Sequence, residues 1–167
     1  MNIEKLFSNK ILLNEEIQFF LTKKQIKKIS TNKELIKAHI QKAKHNLEFY
    51  TLNKNQKKFK DWLIVILYYA LYHCALALIT NKKYASKNHY ATILPLIKEY
   101  NISIKEAELL EELSINEEDA KLYTQLKDDR HNASYTTSLN FSNDKIKQYE
   151  KEIISFINKT EEIIRNS

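Results

Sequence analysis

Residues 62–79 read WLIVILYYALYHCALALI, an apolar run in which His73 is the only strongly polar side chain. The run is too long for an ordinary strand and contains neither glycine nor proline, so it predicts a helix. A helix that is apolar on all sides belongs at the centre of a helical bundle or in a bilayer. Tyr68, Tyr69 and Tyr72 lie in the middle of the run, whereas tyrosines of membrane spans prefer the two interfaces. We therefore expect a buried central helix and no membrane.

An amphipathic helix is predicted before the central run. Thr31 and Glu34 have capping-box spacing, which marks a helix start. From there apolar residues recur every three or four positions: Ile36, Ile40, Ala43, Leu47 and Tyr50. This spacing is typical of one buried helix face.

Further helices are predicted after the central run. Ser86 should cap the next helix, which Pro95 should kink or split. Ser103 and Glu106 have the spacing of another capping box. A helix should then run from the acidic stretch NEEDAK to about Tyr135. The last helix should begin at Ser142 or Asn143 and present one buried face: Ile146, Tyr149, Ile153, Phe156, Thr160 and Ile164.

These patterns predict an all-α protein, and no segment reads clearly as a strand. The chain has 167 residues, one proline and no glycine, which suits helix connections far better than tight hairpins. We expect an up-and-down bundle of four to five main helices in residues 31–167. Residues 1–30 are predicted to form an N-terminal helical extension.

Several classes of site are excluded or disfavoured by composition. The absence of glycine removes the dinucleotide-binding and P-loop motifs. No two of the five histidines have the i, i+4 spacing of a helical zinc site, so no metal and no cofactor is expected. Cys74 is a lone cysteine within the apolar run and should be an inert core thiol. The first ten residues, MNIEKLFSNK, lack the apolar run of a signal peptide, so a cytoplasmic location is expected.

The net charge of +6 is unevenly distributed. Residues 1–60 contain 14 lysines and five glutamates, whereas residues 61–167 contain 13 basic and 16 acidic residues. A basic front half permits contact with RNA, DNA or an acidic partner. A solvated lysine-rich surface explains the same charge.

Arg130 is the most informative polar residue. It lies in the stretch LYTQLKDDRHNASY, at a position of the helical stripe where an apolar residue is expected. The only other arginine is Arg165, and lysine supplies every other positive charge. A guanidinium fork suits bidentate binding of phosphate or carboxylate. Arg130 is therefore either a binding residue or one half of a buried ion pair.

Three segments together resemble the HEPN superfamily of small helical domains. They are YYALYHCALAL from Tyr68, SKNH from Ser86 and RHNASY from Arg130. In short HEPN proteins they correspond to an aromatic–aromatic–Ala–x–aromatic–His helix, a Lys–x–His helix start, and an Arg–x–x–Ala–Asp–Tyr motif. The resemblance covers roughly residues 31–160, the size of one domain.

The resemblance implies a homodimer, often encoded beside a nucleotidyltransferase as a toxin–antitoxin pair. Many HEPN proteins are metal-independent ribonucleases, in which arginine holds the scissile phosphate and a downstream histidine moves protons. Here no histidine follows His131, and the equivalent positions hold Tyr135, Thr136 or Thr137. Ser134 replaces the aspartate of the short-family motif.

The sequence thus leaves two functions open. The first is RNA or nucleotide binding around Arg130, with Arg130, Tyr135 and His131 as candidate catalytic residues of an endoribonuclease. The candidate substrate-binding residues are Asn132, Lys87 and His89. The alternative is a non-catalytic HEPN module that binds a partner protein such as a nucleotidyltransferase.

Overall fold

The computed structural model describes residues 3–56, 60–114 and 142–167. Within these residues the helices are α1 (Ile3–Ser8), α2 (Lys10–Thr22), α3 (Lys33–Asn53), α4 (Lys60–Asn81), α5 (His89–Tyr100), α6 (104–114) and α7 (Asn143–Arg165). Two short strands, β1 (Ile26–Lys28) and β2 (Tyr84–Ser86), form the only sheet seen in them. The prediction of an all-α helical bundle is confirmed. The helix predicted from NEEDAK to Tyr135 lies outside the described residues.

Helix α4 is the centre of the bundle, as its composition predicts. It packs against α3, α5, α7 and β2, and most of its apolar side chains from Leu63 onward are buried, whereas Trp62 in its first turn is 44% exposed. Within the described residues Trp62–Asn81 is the one stretch long and apolar enough to cross a bilayer, and 78% of it is buried inside the protein. Cys74 is a buried free thiol, and burial raises its pKa to about 12, which keeps it protonated and unreactive.

The other helices bury one stripe each. The predicted face of α7 is buried from Ile146 to Thr160. On α3, the buried residues of the predicted stripe are Ile36, Ala43 and Tyr50. The Tyr50 hydroxyl donates to Glu150 across 3.2 Å, and Lys54 donates to the other oxygen of that carboxylate at 2.7 Å. These bonds join the end of α3 to the first turns of α7.

Two predicted helix caps are wrong by one or two residues. Helix α3 is capped by Asn32 rather than Thr31, and α5 is capped by Asn88 rather than Ser86. Each asparagine side chain accepts the backbone N–H three residues later, at 2.8 Å. Asparagine caps as well as serine or threonine, so the residue types alone do not decide between neighbours. Ser86 belongs to β2, and its hydroxyl accepts the N–H of Asn88.

Two other caps are confirmed. The Ser103 hydroxyl accepts the Glu106 N–H at 3.2 Å, and the Glu106 carboxylate accepts the Ser103 N–H at 2.7 Å. Ser142 caps α7. Pro95 was expected to kink or split its helix; it lies inside α5, which continues to Tyr100, so it does not split the helix.

The two strands were not predicted from sequence. They pair antiparallel, with Ile26 opposite Ser86 and Lys28 opposite Tyr84. Each strand has three residues, which is too short to show the alternation that identifies a strand. We call residues 23–29 and 82–87, which contain β1 and β2, the lysine ribbon. It links the N-terminal segment to the connection between α4 and α5.

The N-terminal residues pack into the same core as α4. Helix α2 lies against α5, and five apolar side chains from the first 30 residues belong to the main buried cluster: Ile3, Leu6, Leu13, Ile17 and Ile26. The helices α1 and α2 agree with the predicted helical content of this segment. The boundary at residue 30 stays a prediction, for which the Discussion gives a test.

The turns of this glycine-free chain place other residues in the left-handed region. Lys24, Lys83 and Asn101 have φ values of 57°, 62° and 46°. Lys24 follows α2 and Lys83 follows α4, two residues and one residue before the two strands begin. Lysine tolerates this conformation less well than glycine or asparagine. Both lysines nevertheless adopt it, at the tight turns that lead from each helix into the following strand.

Candidate functional site

The structure describes two of the six predicted site residues. Lys87 and His89 lie at the start of α5. The predicted catalytic residues Arg130, His131 and Tyr135, and the predicted binding residue Asn132, lie outside the described residues. The site is therefore built from the segment that holds Lys87 and His89.

The backbone before α5 positions these two side chains. Asn88 is extended and caps the helix, so His89 becomes its first residue. The Lys87 N–H donates to the Gln25 carbonyl at 3.0 Å, which ties this turn to the N-terminal segment. The Lys87 side chain is exposed, whereas His89 is half-buried. An exposed ammonium group and a half-buried imidazole thus belong to the same turn, two residues apart, and their role as binding residues stays a prediction.

His89 is held by two tyrosines of α4. The Tyr68 hydroxyl is hydrogen-bonded to Nδ1 of His89, and the Tyr72 ring stacks on the imidazole with centroids 4.5 Å apart. Tyr68 and Tyr72 are four residues apart, so they share one face of α4 and stack on each other at 5.5 Å. Together with Thr92 these residues form what we call the tyrosine–histidine cluster.

Thr92 connects the cluster to the helix cap. Its hydroxyl donates to the Asn88 carbonyl at 2.8 Å, so at 3.4 Å from Tyr72 it can act only as the acceptor. Burial raises the pKa of Tyr72, an effect that the bond to Thr92 opposes. Tyr72 therefore stays a neutral hydroxyl beside the His89 ring. Sequence reasoning identified His89 but missed these partners, for which the i, i+4 tyrosine spacing was the available signal.

A second histidine pair joins α3 to α4. His39 and His73 approach with their Nδ1 atoms 3.0 Å apart, and their ring centroids are 5.3 Å apart. One ring must donate and the other accept, so at least the accepting ring is neutral and the two rings cannot both be protonated at Nδ1. Burial lowers the pKa of His39, and burial with the nearby His39 and Lys42 charges lowers the pKa of His73 to about 4. His73 was predicted to be a core histidine with a satisfied ring, but its partner was not predicted.

Acidification is expected to weaken the fold through this pair. An unfolded histidine titrates near pH 6.5, whereas folded His73 titrates near pH 4. Between those values the unfolded chain binds more protons, so the free energy of unfolding decreases as the pH falls through this window. The full stabilisation is present above pH 6.5. After allowance for partial exposure, the loss at pH 4.5 should be about 1–2 kcal/mol.

Urea unfolding at pH 7 and at pH 4.5 measures this loss. The double variant H39L/H73L should lose less stability on acidification than the wild type. His45, an exposed histidine of α3, provides the control, because H45L removes a histidine without touching the pair. Equal losses in the wild type and in H39L/H73L would show that the pair does not carry the pH dependence.

A cavity of about 450 Å³ lies at the end where α3, α4 and α7 meet. Its charged lining comprises Lys54, Lys60, Lys147 and Glu150. Lys54 is already bound to Glu150, so its charge is offset. The volume suits a small molecule. Of the two predicted site residues that the structure describes, neither Lys87 nor His89 lines this cavity.

No cluster of three or more potential metal ligands occurs in the part of the chain that the structure describes. The expectation that the protein needs no metal stays a prediction.

The described residues thus form an all-α bundle with a tyrosine–histidine cluster at the start of α5. Comparison with models of known protein families gives no match, and a search of the curated proteins gives no significant relative.

Proposed function

We propose that this protein is a cytoplasmic, HEPN-like RNA-processing or toxin–antitoxin component that binds RNA or a nucleotide around Arg130. The observation that supports the proposal is the position of an exposed Lys87 and a hydrogen-bonded His89, two residues apart, at the start of α5. An exposed ammonium and an imidazole of set orientation suit contact with a phosphate.

The chemistry assigns a different task to each predicted residue. Arg130 would hold the phosphate and its developing negative charge. His131 or Tyr135 would move protons, although tyrosine, with a reference pKa of about 10, is a weak acid–base group at neutral pH. Asn132, Lys87 and His89 would bind the nucleotide. Dimerisation, which the resemblance implies, would bring two such motifs to one cleft.

The test is incubation of labelled RNA with purified protein in EDTA. Wild-type protein should cleave the RNA, and R130A should lose at least 100-fold in rate because the transition-state charge is no longer held. The matched control is R165A, which removes the exposed arginine at the end of α7. R165A should cleave as the wild type does, and both variants should keep the wild-type melting temperature. Equal cleavage by wild type and R130A would overturn the proposal.

The second candidate is a non-catalytic module that binds a partner protein such as a nucleotidyltransferase. It is favoured by the absence of any histidine after His131 in the sequence. In that case Arg130 is an interface residue or half of a buried ion pair. If it is paired and buried, R130A should lower the free energy of unfolding by about 3–5 kcal/mol. No cleavage by folded wild-type protein, together with this loss, would favour the second candidate.

A further inference from the structure

The lysine ribbon collects positive charge from two distant parts of the chain. Residues 22–30 and 80–90 contain no aspartate or glutamate. Their lysine side chains are all exposed: Lys23, Lys24, Lys27, Lys28, Lys82, Lys83 and Lys87. Seven cations on one short two-stranded element make a dense basic surface.

The strand register distributes these charges along the whole ribbon. Lys28 lies opposite Tyr84, and the Ile29 N–H bonds to the Lys83 carbonyl at 2.9 Å, so Lys82 and Lys83 stand at that end. At the other end, the bond between Lys87 and Gln25 brings Lys87 beside Lys24 and Lys23. Lys27 lies between the two ends. The basic surface therefore leads directly to the candidate site at His89.

Within the described residues, the ribbon lysines form no ion pairs with carboxylates. Among the residues that the structure describes, the ion pairs use Lys44, Lys54, Lys145 and Lys159, and none uses a ribbon lysine. Three ribbon lysines lie over aromatic rings instead: Lys28 is 3.3 Å from the Tyr84 centroid, Lys82 is 5.3 Å from that of Tyr100, and Lys23 lies over Phe19. A ring contact orients an ammonium group but leaves its charge in place.

An exposed aromatic ring adjoins the basic surface. Phe19, in the last turn of α2, is 53% exposed, and Lys23 lies 5.7 Å from its centroid. Its ring meets Phe20 edge-on at 5.3 Å, and Phe20 in turn contacts Tyr90. Phe19 is thus supported on one side and open on the other. Bases stack on platforms of this kind in proteins that bind single strands.

We propose that the lysine ribbon binds the sugar–phosphate backbone of single-stranded RNA, with Phe19 stacking on one base. This inference rests on the proposed function and deepens it, because it names the strand type and the surface that leads it to the site. A membrane surface fits less well, because interfacial binding needs several apolar anchors. On the described part of the ribbon and the end of α2, Phe19 is the one large exposed apolar side chain.

The experiment is fluorescence anisotropy of a labelled single-stranded RNA, titrated with full-length protein between 50 and 200 mM salt. The ribbon variant is K24N/K27Q/K83N, in which asparagine replaces the two left-handed lysines because it tolerates that conformation. The control variant K5Q/K10Q/K151Q removes the same charge from exposed positions of α1, α2 and α7. All variants are first checked for the wild-type melting temperature.

The ribbon variant should bind at least tenfold more weakly at 50 mM salt. The slope of log affinity against log salt should fall by about 2, because each lost phosphate contact of a single strand removes about 0.7. The control should stay within about threefold of the wild type. F19A should weaken binding about tenfold, whereas I11A, at an exposed position of the same helix, should not.

The outcomes separate this proposal from the proposed function. Equal weakening by ribbon and control variants would show general charge attraction and overturn the ribbon proposal. If the ribbon variant binds RNA as tightly as the wild type and R130A binds more weakly, the ribbon proposal is overturned and the proposed Arg130 site is supported. Weak binding by the ribbon variant with neither cleavage by wild type nor an effect of R130A would support the ribbon and overturn that site. Binding to anionic vesicles but not to RNA would overturn both.

Discussion

A fragment of residues 31–167 is expected not to fold into a stable bundle. The deletion removes β1 and α2, so β2 loses its partner strand and α5 loses the helix that covers it. It also removes the five buried side chains of the first 30 residues named above. Each contributes about 1.5–3 kcal/mol on burial, so their sum approaches the whole stability of a domain, about 5–15 kcal/mol.

Circular dichroism and urea unfolding of the fragment measure this effect. A second fragment that begins at Asn9 keeps the cap of α2 and removes α1, with Ile3 and Leu6, and should unfold at an intermediate urea concentration. If the domain boundary lies at residue 30, as predicted from the sequence, residues 31–167 should instead fold without the N-terminal segment. If residues 31–167 keep the helicity and the urea midpoint of the full chain, the N-terminal segment is a separable extension.

The substitution L71A should lower the free energy of unfolding by about 2–5 kcal/mol. Leu71 lies in α4 with no exposed surface and belongs to the main core cluster. Truncation to alanine removes buried methyl groups and leaves a cavity that the packed neighbours cannot fill completely. Alanine favours the helix, so the loss comes from packing and not from backbone propensity.

Leu52 provides the matched control for this substitution. It lies in α3 and is 74% exposed. L52A should change the free energy of unfolding by less than about 0.5 kcal/mol. Similar losses for L71A and L52A in urea unfolding would contradict a central, buried position of α4.

Much of the helical architecture could be predicted from local sequence. The central helix follows from its uninterrupted apolar composition, because such a segment must be covered on all sides. The last helix follows from the spacing of its apolar residues and from Ser142. The capping box at Ser103 and Glu106 was readable because both reciprocal hydrogen bonds depend on residues three apart.

The ribbon and the partners of the histidines could not be predicted in the same way. Lys28 meets Tyr84, and His39 meets His73, through packing between residues distant in sequence. Nothing local to either residue specifies its partner. For the candidate site, the sequence identified Lys87 and His89, but the tyrosines that hold His89 became evident only from the geometry. The predictions for Arg130 and its neighbours stay predictions.

The strand pairing has a consequence for the order of folding. It closes a backbone loop that encloses the complete α3–α4 hairpin. Contacts within a helical hairpin form quickly, whereas pairing across a long loop carries a larger entropic cost and forms later. The two lysine segments therefore become one surface only near the end of folding. A polyanion that contacts both segments selects the native chain over newly made or unfolded chains, and its binding adds to native stability.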